Sequence, residues 1–380
     1  MHYKLVNDFN NLLELCHAQL ANYPKLQVID ICKMVYQGEF GPGHLLADKT
    51  AAKKYFNEEY IKSTTNSTNP TNSTNPANST NSTSSIENIG FGFCRVHMNS
   101  QTAGDIPQDV FYRIFELSAE TLHGTNERFF AKMQLIKNFC NSNQLPFSTA
   151  EIDNIITTWQ ANNYAPFSHS PIFKQEYSPA YRIVQEKYCR YLPIFSHISQ
   201  LEKTGNPVII AIDGDAAAGK TTLAAMLQQI YTTDCNIIHA DEFFLPPSLR
   251  TDSRLQEPGG NVHYERLLNE VITPLTAGKK FSYKPFDCQI WDFAEEITVT
   301  PRKINIIEGS YSLHPTLNAA YNLKIFLEIS PTEQINRLKI RHAHELDEKL
   351  GKFQNIWIPM EKRYHKFFDV KNLCDLVFSA

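Results

Sequence analysis

The chain has 380 residues, of which 42% are hydrophobic, and a net charge of -4. This length accommodates two or three domains, and the composition is that of an ordinary globular protein. The small negative charge gives no general attraction for nucleic acid or for an anionic membrane, so neither is an expected partner. No apolar run reaches the roughly 18 residues of a membrane span, and the N-terminal residues lack the apolar core of a signal peptide. The eight cysteines form no CxxC pair, which favours reduced thiols, and we expect a cytoplasmic protein.

The first 200 residues carry mainly helical periodicity. Apolar residues recur three and four positions apart in two clear stretches: Phe9, Leu12, Leu13, Cys16 and Leu20, and then Tyr181, Val184, Tyr188, Tyr191, Leu192 and Phe195. Such spacing places them on one face of a helix, and little strand alternation is visible. We therefore predict a mainly α-helical N-terminal domain over residues 1–200, of unknown role.

A low-complexity tract interrupts this half. Residues 62–85, KSTTNSTNPTNSTNPANSTNSTSS, consist almost wholly of Asn, Ser, Thr and Pro. A segment with nothing to bury cannot offset its ordering entropy, so we predict a disordered insertion. The tract contains Asn-Ser-Thr triplets that match the N-glycosylation pattern, but without a secretory signal we attribute them to its composition.

Three polar segments of the N-terminal half stand out: YQGEFGPGHLL at 36–46, FGFCRVHM at 91–98 and APFSHSPIFKQEYSPAYRIV at 165–184. They carry the candidate pocket residues Glu39, His44, Arg95, His97, His169 and Arg182. Loops on a helical scaffold could build a pocket from them for an anionic or sugar-like ligand. The alternative, which we favour, is that these residues serve local hydrogen bonds and turns. No histidine spacing supports a metal site.

From residue 205 onward the pattern changes to short, continuously apolar runs separated by helical segments. The runs are PVIIAID, NIIHAD, INIIEG, LKIFLEI and DLVFSA. Strands that are apolar throughout are typical of a parallel sheet covered on both faces. Residues 205–380 are therefore predicted to form an α/β domain with helices on both faces of the sheet.

The loop after the first of these runs is a phosphate-binding motif. GDAAAGKT fits the pattern G-x-x-x-x-G-K-[ST], between a predicted strand and a predicted helix. Backbone N–H groups of such a loop point at phosphate, the lysine reaches the β- and γ-phosphates, and the hydroxyl binds Mg²⁺. The expected nucleotide-binding residues are Gly214, Asp215, Ala216, Ala217, Ala218, Gly219, Lys220, Thr221 and Thr222.

Two acidic positions follow later strands. Asp241, with Glu242 beside it, comes after NIIHA, and Glu308 comes after INII. Carboxyl ends of parallel strands line the ligand edge of the sheet, so Asp241 could accept the proton of an attacking hydroxyl, although a helix-capping role is the alternative. Glu308 is predicted to meet Mg²⁺ together with Thr221.

Two arginines lie four residues apart on a predicted helix after the fourth strand. Arg337 and Arg341 share one helical face in PTEQINRLKIRHAHE. We predict that one or both close over the phosphates and stabilise the transferring group; a solvated basic face is the alternative.

These motifs, in this order, resemble the uridine kinase and phosphoribulokinase family of P-loop kinases over residues 206–380. The chain looks most like a bacterial uridine-kinase-like branch with an extra N-terminal helical domain. The resemblance implies that Asp241 is the general base, that Glu308 is at the metal, and that two further segments hold the acceptor. The candidate acceptor-binding residues are Arg250, Arg254, Asn261, His263, Tyr264, Tyr283 and Asp287.

This sequence departs from typical uridine kinases at several motifs. DEFF at 241–244 replaces their Asp-Ser-Phe-Tyr and is closer to nicotinamide riboside kinases. NVHY at 261–264 stands in place of an Asp-His-Pro triplet, and His342 rather than Asp follows Arg341. These departures leave phosphoryl transfer intact as an expectation and put uridine itself in doubt.

We therefore expect an ATP- and Mg²⁺-dependent kinase that phosphorylates a hydroxyl group of a nucleoside or sugar-like small molecule. Two alternatives stay open. One is an ATP-binding sensor whose N-terminal half binds a ligand or partner. The other is a bifunctional enzyme whose N-terminal half makes or consumes the kinase substrate.

Overall fold

The computed structural model describes residues 11–67, 85–98, 105–121, 124–343 and 346–379. It contains two compact units, Met1–Ser196 and His197–Ala380, and each is described by itself here. No helix in the described part of the chain is long and apolar enough to cross a membrane.

The N-terminal unit consists mainly of helices, as its apolar periodicity predicts. Their bounds are α1 Leu12–Asn22, α2 Val28–Phe40, α3 Lys49–Ser67, α4 Gln108–Ala119, α5 Asn126–Asn141, α6 Thr149–Ala161, α7 Pro171–Tyr177 and α8 Glu186–Cys189, with a 3₁₀ turn at Gly43–Leu46. A further helix, α9 Leu192–Glu202, begins in this unit and runs past Ser196, where the unit ends. Polar side chains begin several of them. Ser148 and Glu151 form a capping box at α6, and Ser170 accepts the Phe173 N–H at α7, which satisfies N–H groups that have no partner within the helix.

The N-terminal unit also contains a small antiparallel sheet that the sequence analysis did not predict. Strands β1 (Ile86–Gly90), β2 (Phe93–His97) and β3 (Tyr181–Gln185) pair in the order β1-β2-β3. The predicted helical face from Tyr181 onward is therefore wrong over its first residues, which form β3. Four of its five residues are buried, among them the polar Arg182 and Gln185, so the strand has no exposed polar face and its sequence does not alternate.

Helix α3 extends to Ser67, so the first six residues of the predicted low-complexity insertion are helical. Residues 68–84 of that tract lie outside the described part of the chain, as does Phe9.

The C-terminal unit is built on a five-stranded, all-parallel sheet. Its strands are β4 Val208–Gly214, β5 Cys235–His239, β10 Ile304–Glu308, β11 Leu323–Glu328 and β12 Leu376–Ser379, in the order β12-β11-β4-β10-β5. All residues of β4 and β10 are buried, which explains their continuously apolar sequences. The predicted α/β fold with a parallel sheet is confirmed.

Helices flank this sheet and short hairpins extend it. The helices are α10 Lys220–Tyr231, α11 Asp252–Gln256, α12 Tyr264–Arg266, α13 Thr273–Thr276, α14 Pro331–Arg341, α15 Leu346–Lys352 and α16 Ile358–Phe367, with π-helical turns at Leu267–Ile272 and Phe353–Trp357. Strands β6 (Phe281–Tyr283) and β9 (Ile297–Val299) pair, as do β7 (Phe286–Asp287) and β8 (Asp292–Phe293). A 3₁₀ turn at Ala240–Phe243 follows β5.

Candidate active site

The phosphate loop connects the central strand β4 to helix α10, and its glycines have a steric reason. Gly214 has φ +141°, and a Cβ atom there would lie 2.0 Å from the carbonyl oxygen of Leu327 in β11. Gly219, which precedes α10, has φ +101°. L-residues with side chains rarely adopt either conformation. The loop therefore brings its backbone, rather than side chains, to the N-terminus of α10, where N–H groups and the helix dipole favour an anion.

Lys220 lies over this loop. Its ammonium group donates hydrogen bonds to the carbonyl oxygens of Gly214 (2.7 Å) and Asp215 (3.1 Å). The carboxylate of Glu361 is 4.0 Å away. The cation is thus held against the backbone of the phosphate loop.

A buried aspartate that the sequence analysis did not single out fixes the loop to the neighbouring strand end. Asp213 is fully buried and accepts hydrogen bonds from the N–H groups of Gly214 (2.7 Å) and Leu313 (3.1 Å) and from the Tyr364 hydroxyl (3.0 Å). Burial opposes ionisation, but these donors and the nearby His365 lower the pKa of the Asp213 carboxyl. The signal in the sequence was an acidic residue at the end of an otherwise apolar strand.

Glu361 of α16 is a second residue that the sequence analysis missed. It is buried, accepts the N–H of Ala216 in the loop at 2.7 Å and accepts the Ser310 hydroxyl at 2.7 Å. It therefore links the loop, α16 and the turn after β10. No motif marks it, because it lies 145 residues from Ala216 along the chain.

The two predicted acidic residues reach the same edge of the sheet as the loop. Strand β10 lies between β4 and β5, with Glu308 in register with Ile212 on one side and His239 on the other. The Thr221 hydroxyl donates to the Glu308 carboxylate at 3.1 Å. His239 Nδ1 is 2.6 Å from the same carboxylate, which raises the pKa of the imidazole. Sequence reasoning predicted Thr221 and Glu308 but missed His239.

Asp241, in the 3₁₀ turn after β5, packs against the end of β10. A Cβ atom at Gly309 would lie 3.0 Å from the Asp241 carboxylate, so glycine permits this approach. The carboxylate is open to solvent, yet protein atoms crowd it from several sides. This partial desolvation, together with the negative charge of Glu308, outweighs Lys220 and raises the pKa of Asp241 to about 6.

Thr221 and Glu308 fit a magnesium ion that is held mainly by phosphate and water. Both offer hard oxygen donors, which Mg²⁺ prefers, and it commonly takes only one or two protein ligands. The described residues contain no group of three His, Cys, Asp or Glu side chains that could hold a metal by themselves. A dedicated all-protein metal cage is therefore absent from the described part of the chain.

The two predicted lid arginines differ in their surroundings. In α14, Arg337 donates to Glu333 at 2.9 Å and to the Ala217 carbonyl oxygen of the phosphate loop at 3.4 Å. Arg341 is the last residue of the helix and is exposed. The neighbouring Gln334 donates to the Ala216 carbonyl oxygen at 3.0 Å. The helix thus lies against the loop through Gln334 and Arg337.

Three of the predicted acceptor-binding residues form one self-contained cluster. The Arg254 guanidinium donates to Glu265 (2.8 and 2.9 Å) and to the Tyr264 hydroxyl (2.7 Å). His263 Nδ1 contacts Glu265 at 3.1 Å, and the Tyr264 ring stacks on His314 with centroids 3.9 Å apart. These contacts hold the shape of the segment, and a role in binding the acceptor stays a prediction for them.

The remaining four are distributed around Asp241. The Tyr283 hydroxyl donates to Glu242 at 2.7 Å. Asn261 is buried, and its Oδ1 atom has no hydrogen-bond partner among the described residues. The charges of Arg250, Asp287 and Asp241 all act on the Cys288 thiol, which puts these residues in one neighbourhood.

The six candidate pocket residues of the N-terminal unit have three kinds of surroundings: a buried ion pair, a cavity and contacts with Glu87. Glu39 is fully buried with Lys132 and also contacts Arg128 and the Thr125 N–H. His44, His169 and Arg182 line a cavity. Arg95 and His97 contact Glu87.

A parallel sheet whose central strand ends in a phosphate loop, with acidic residues at the next strand ends, defines the C-terminal unit as a P-loop kinase fold. No protein-family model matches the chain. It is 24% identical over 180 residues to a uridine kinase of Clostridium perfringens, covering 43% of this chain and 86% of the relative. It is 28% identical over 165 residues to human nicotinamide riboside kinase 1, covering 42% and 76%.

Among solved structures, one described as a possible uridine kinase from Bacillus stearothermophilus is 19% identical, with a TM-score of 0.36, and the match covers 49% of this chain and 99% of the other. The C-terminal half of the chain is thus similar to uridine kinases and related P-loop kinases, which supports the resemblance found in the sequence.

Proposed function

We propose that the protein is a small-molecule kinase that transfers the γ-phosphoryl group of ATP to a hydroxyl group of a nucleoside or of a sugar-like compound. This proposal rests on one observation: the three neighbouring strands β4, β10 and β5 end at the same edge of the sheet, and each is followed or ended by a candidate functional group. The phosphate loop follows β4, Glu308 ends β10 and Asp241 follows β5. A triphosphate, a metal-binding carboxylate and a base are the parts that phosphoryl transfer to a hydroxyl needs.

In this reaction the acceptor oxygen attacks the γ-phosphorus while the bond from that phosphorus to the β,γ-bridging oxygen breaks. The acceptor hydroxyl proton passes to the carboxylate of Asp241, and ADP leaves with the electron pair of the broken bond. A base works best when its pKa is near the working pH. The raised pKa of Asp241, about 6, leaves it ionised at neutral pH and more basic than an ordinary aspartate.

The other residues bind and orient the triphosphate. Lys220 would contact its β- and γ-phosphates, and the loop amides would donate hydrogen bonds to its phosphate oxygens. Thr221 and Glu308 would hold Mg²⁺, which when bound neutralises phosphate charge. Arg337 is near enough to the loop, through its contact with Ala217, to stabilise the transferring group. Arg341, at the end of α14, is the second candidate for this role.

The nucleoside class is supported by the relatives. Relatives similar to this chain are named uridine kinase and nicotinamide riboside kinase, and uridine and nicotinamide riboside both consist of a base joined to ribose. Residues around Asp241 suit a polyhydroxylated acceptor. Asp287 and Arg250 offer charged hydrogen-bonding groups, and the unpaired Oδ1 atom of Asn261 is a candidate acceptor for a substrate hydroxyl.

The test is ADP release by the purified full chain with ATP and Mg²⁺ against a panel of nucleosides, vitamins and sugars. We expect release that depends on one acceptor and that is lost in Lys220→Ala and in Asp241→Asn. The matched control is Asp234→Asn, because Asp234 is a surface residue paired with Lys303 at 2.7 Å before the opposite end of β5. Full activity in Asp241→Asn would contradict the assignment of Asp241 as the base.

A further inference from the structure

The N-terminal unit contains a cavity that the kinase reaction does not use. Its volume is about 520 Å³, within the range of roughly 300–1,000 Å³ typical of small-molecule sites. Residues of α2, α3 and β3 line it, together with the segment around His169 and helix α7. All of these elements belong to the N-terminal unit.

Positive charge dominates this cavity. Its lining includes Lys33, Lys174 and Arg182 as cations and Glu59 as the acidic residue. Glu59 forms an ion pair with Arg182, whose guanidinium lies 2.6 Å from the Glu59 carboxylate. Lys33 donates to the carbonyl oxygen of Phe167 at 2.7 Å, a neutral acceptor that does not balance its charge.

Lys33 is affected chiefly by burial and in addition by neighbouring cations. Burial, together with the positive charges of Arg95 and Lys174, lowers the pKa of its ammonium group to about 8, and Asp30 opposes this only in part. An anion that enters the cavity would offset the repulsion between these cations. The electrostatics therefore favour a negatively charged ligand over a neutral one.

A chain of buried hydrogen bonds joins three residues of the cavity lining, His169, Tyr181 and Gln37, to Asp30 and Arg95. Asp30 accepts from His169 Nδ1 at 2.8 Å, and His169 Nε2 is 2.6 Å from the Tyr181 hydroxyl. Gln37 donates to the same hydroxyl at 3.1 Å and accepts from the Arg95 guanidinium at 2.7 and 2.9 Å.

Burial lowers the pKa of His169 to about 4, so its ring is neutral and its hydrogen bonds are fixed. Such a satisfied network fixes the polar side chains Gln37, His169 and Tyr181 of the lining before a ligand arrives.

Aromatic side chains provide the apolar part of the wall. Tyr36, Tyr55, Phe115 and Phe167 line the cavity, and the Arg182 guanidinium lies 5.8 Å from the centre of the Phe115 ring. Aromatic faces next to cations suit a ligand that has a ring or chain attached to its charged group.

We propose that this cavity binds a small organic anion, a phosphate monoester or a carboxylate, with its charged group among Lys33, Lys174 and Arg182 and its apolar part against the aromatic wall. The site is separate from the phosphate loop, so the proposal does not depend on the kinase activity.

The test is calorimetric titration of the full chain with three ligands that share one ring: phenyl phosphate, benzoate and benzyl alcohol. We expect at least one of the two anions to bind and benzyl alcohol to bind much more weakly. Binding of phenyl phosphate alone would assign a phosphate monoester, and binding of benzoate alone a carboxylate. Absence of heat for both anions at millimolar concentrations, or equal binding of the alcohol, would overturn the proposal.

Variants locate the binding site. Lys174→Met removes an exposed cation of the lining and is expected to weaken anion binding about tenfold without affecting folding; Lys33→Met should have at least the same effect. The matched control is Lys137→Met, which removes a cation paired with Asp153 outside the cavity and should leave affinity unchanged. Lys220→Ala should also leave it unchanged, since that change affects only the phosphate loop. Equal affinity in Lys174→Met and Lys137→Met, or loss of binding in Lys220→Ala, would refute this location.

Discussion

Replacing Asp241 with asparagine should abolish turnover and at the same time stabilise the folded C-terminal unit at alkaline pH. The structure raises the pKa of this carboxyl from 3.8 to about 6, so the folded state binds its proton more tightly than the unfolded state does. Stability of the wild type therefore falls as pH rises from about 4 to about 6, and stays at the lower level above that window. Asparagine carries no charge, so the variant does not lose the stability that ionisation of Asp241 in the folded state costs the wild type.

The size of the effect follows from the shift. Two pKa units correspond to about 3 kcal/mol at 1.36 kcal/mol per unit. Because the carboxylate is accessible to solvent, screening reduces this, and we expect a gain of about 1 kcal/mol at pH 8. For a unit of this size that gain raises the melting temperature by roughly 2–4 °C.

The measurement is thermal unfolding of wild type, Asp241→Asn and the control Asp234→Asn at pH 8 and near pH 4. The gain should appear only in Asp241→Asn and mainly at the higher pH, since near pH 4 the folded wild-type carboxyl is protonated and the unfolded one is only about half ionised. A variant that melts at or below the wild-type temperature at pH 8 would refute the argument that the site desolvates Asp241.

Three further substitutions test the packing of both units. Gly214→Ala should lower the free energy of unfolding by about 3 kcal/mol and eliminate ATP binding, because its Cβ would lie 2.0 Å from a backbone oxygen. Denaturant unfolding measures the first effect and nucleotide titration the second. Near-wild-type ATP affinity would contradict the prediction. Lys132→Met should lower the free energy of unfolding by roughly 3 kcal/mol, because it leaves the buried Glu39 poorly paired. Denaturant unfolding measures this. A smaller loss of stability than in the surface variant Lys137→Met would count against the importance of the buried pair. Glu361→Ala should raise ATP affinity, since it frees the Ala216 N–H for phosphate and removes a carboxylate 4.0 Å from Lys220; unchanged or lower ATP affinity in an isothermal titration would argue otherwise.

The parts of the site that are contiguous in sequence could be predicted. The phosphate loop needs glycines, a lysine and a hydroxyl at fixed spacing, and those needs are local. Asp241 and Glu308 could also be predicted, because parallel strands end at one edge of a sheet and an acidic residue after an apolar run must lie there. In both cases the backbone geometry is implied by the pattern itself.

The residues that support the site could not be found in the same way. Glu361 reaches Ala216 from a helix 145 positions away, and the sequence around it is an ordinary amphipathic helix. His239 is a polar residue at the end of a strand, and its contact with Glu308 depends on β5 lying beside β10. The N-terminal sheet was missed for a related reason: β3 is buried on both faces and leads directly into α8, so its apolar residues continue the helical spacing.

Burial of a carboxylate does not by itself mark a functional site, as a comparison of two glutamates shows. Glu39 and Glu308 are both buried at the end of apolar segments. The oxygens of Glu39 are occupied by Lys132, Arg128 and a backbone N–H, and a ligand would have to break a buried ion pair to reach them. Those of Glu308 face a threonine hydroxyl and an imidazole that is partly open to solvent. A cation could therefore reach Glu308 more easily than Glu39, and this difference in partners favours a structural role for Glu39 and supports the proposed metal-binding role of Glu308.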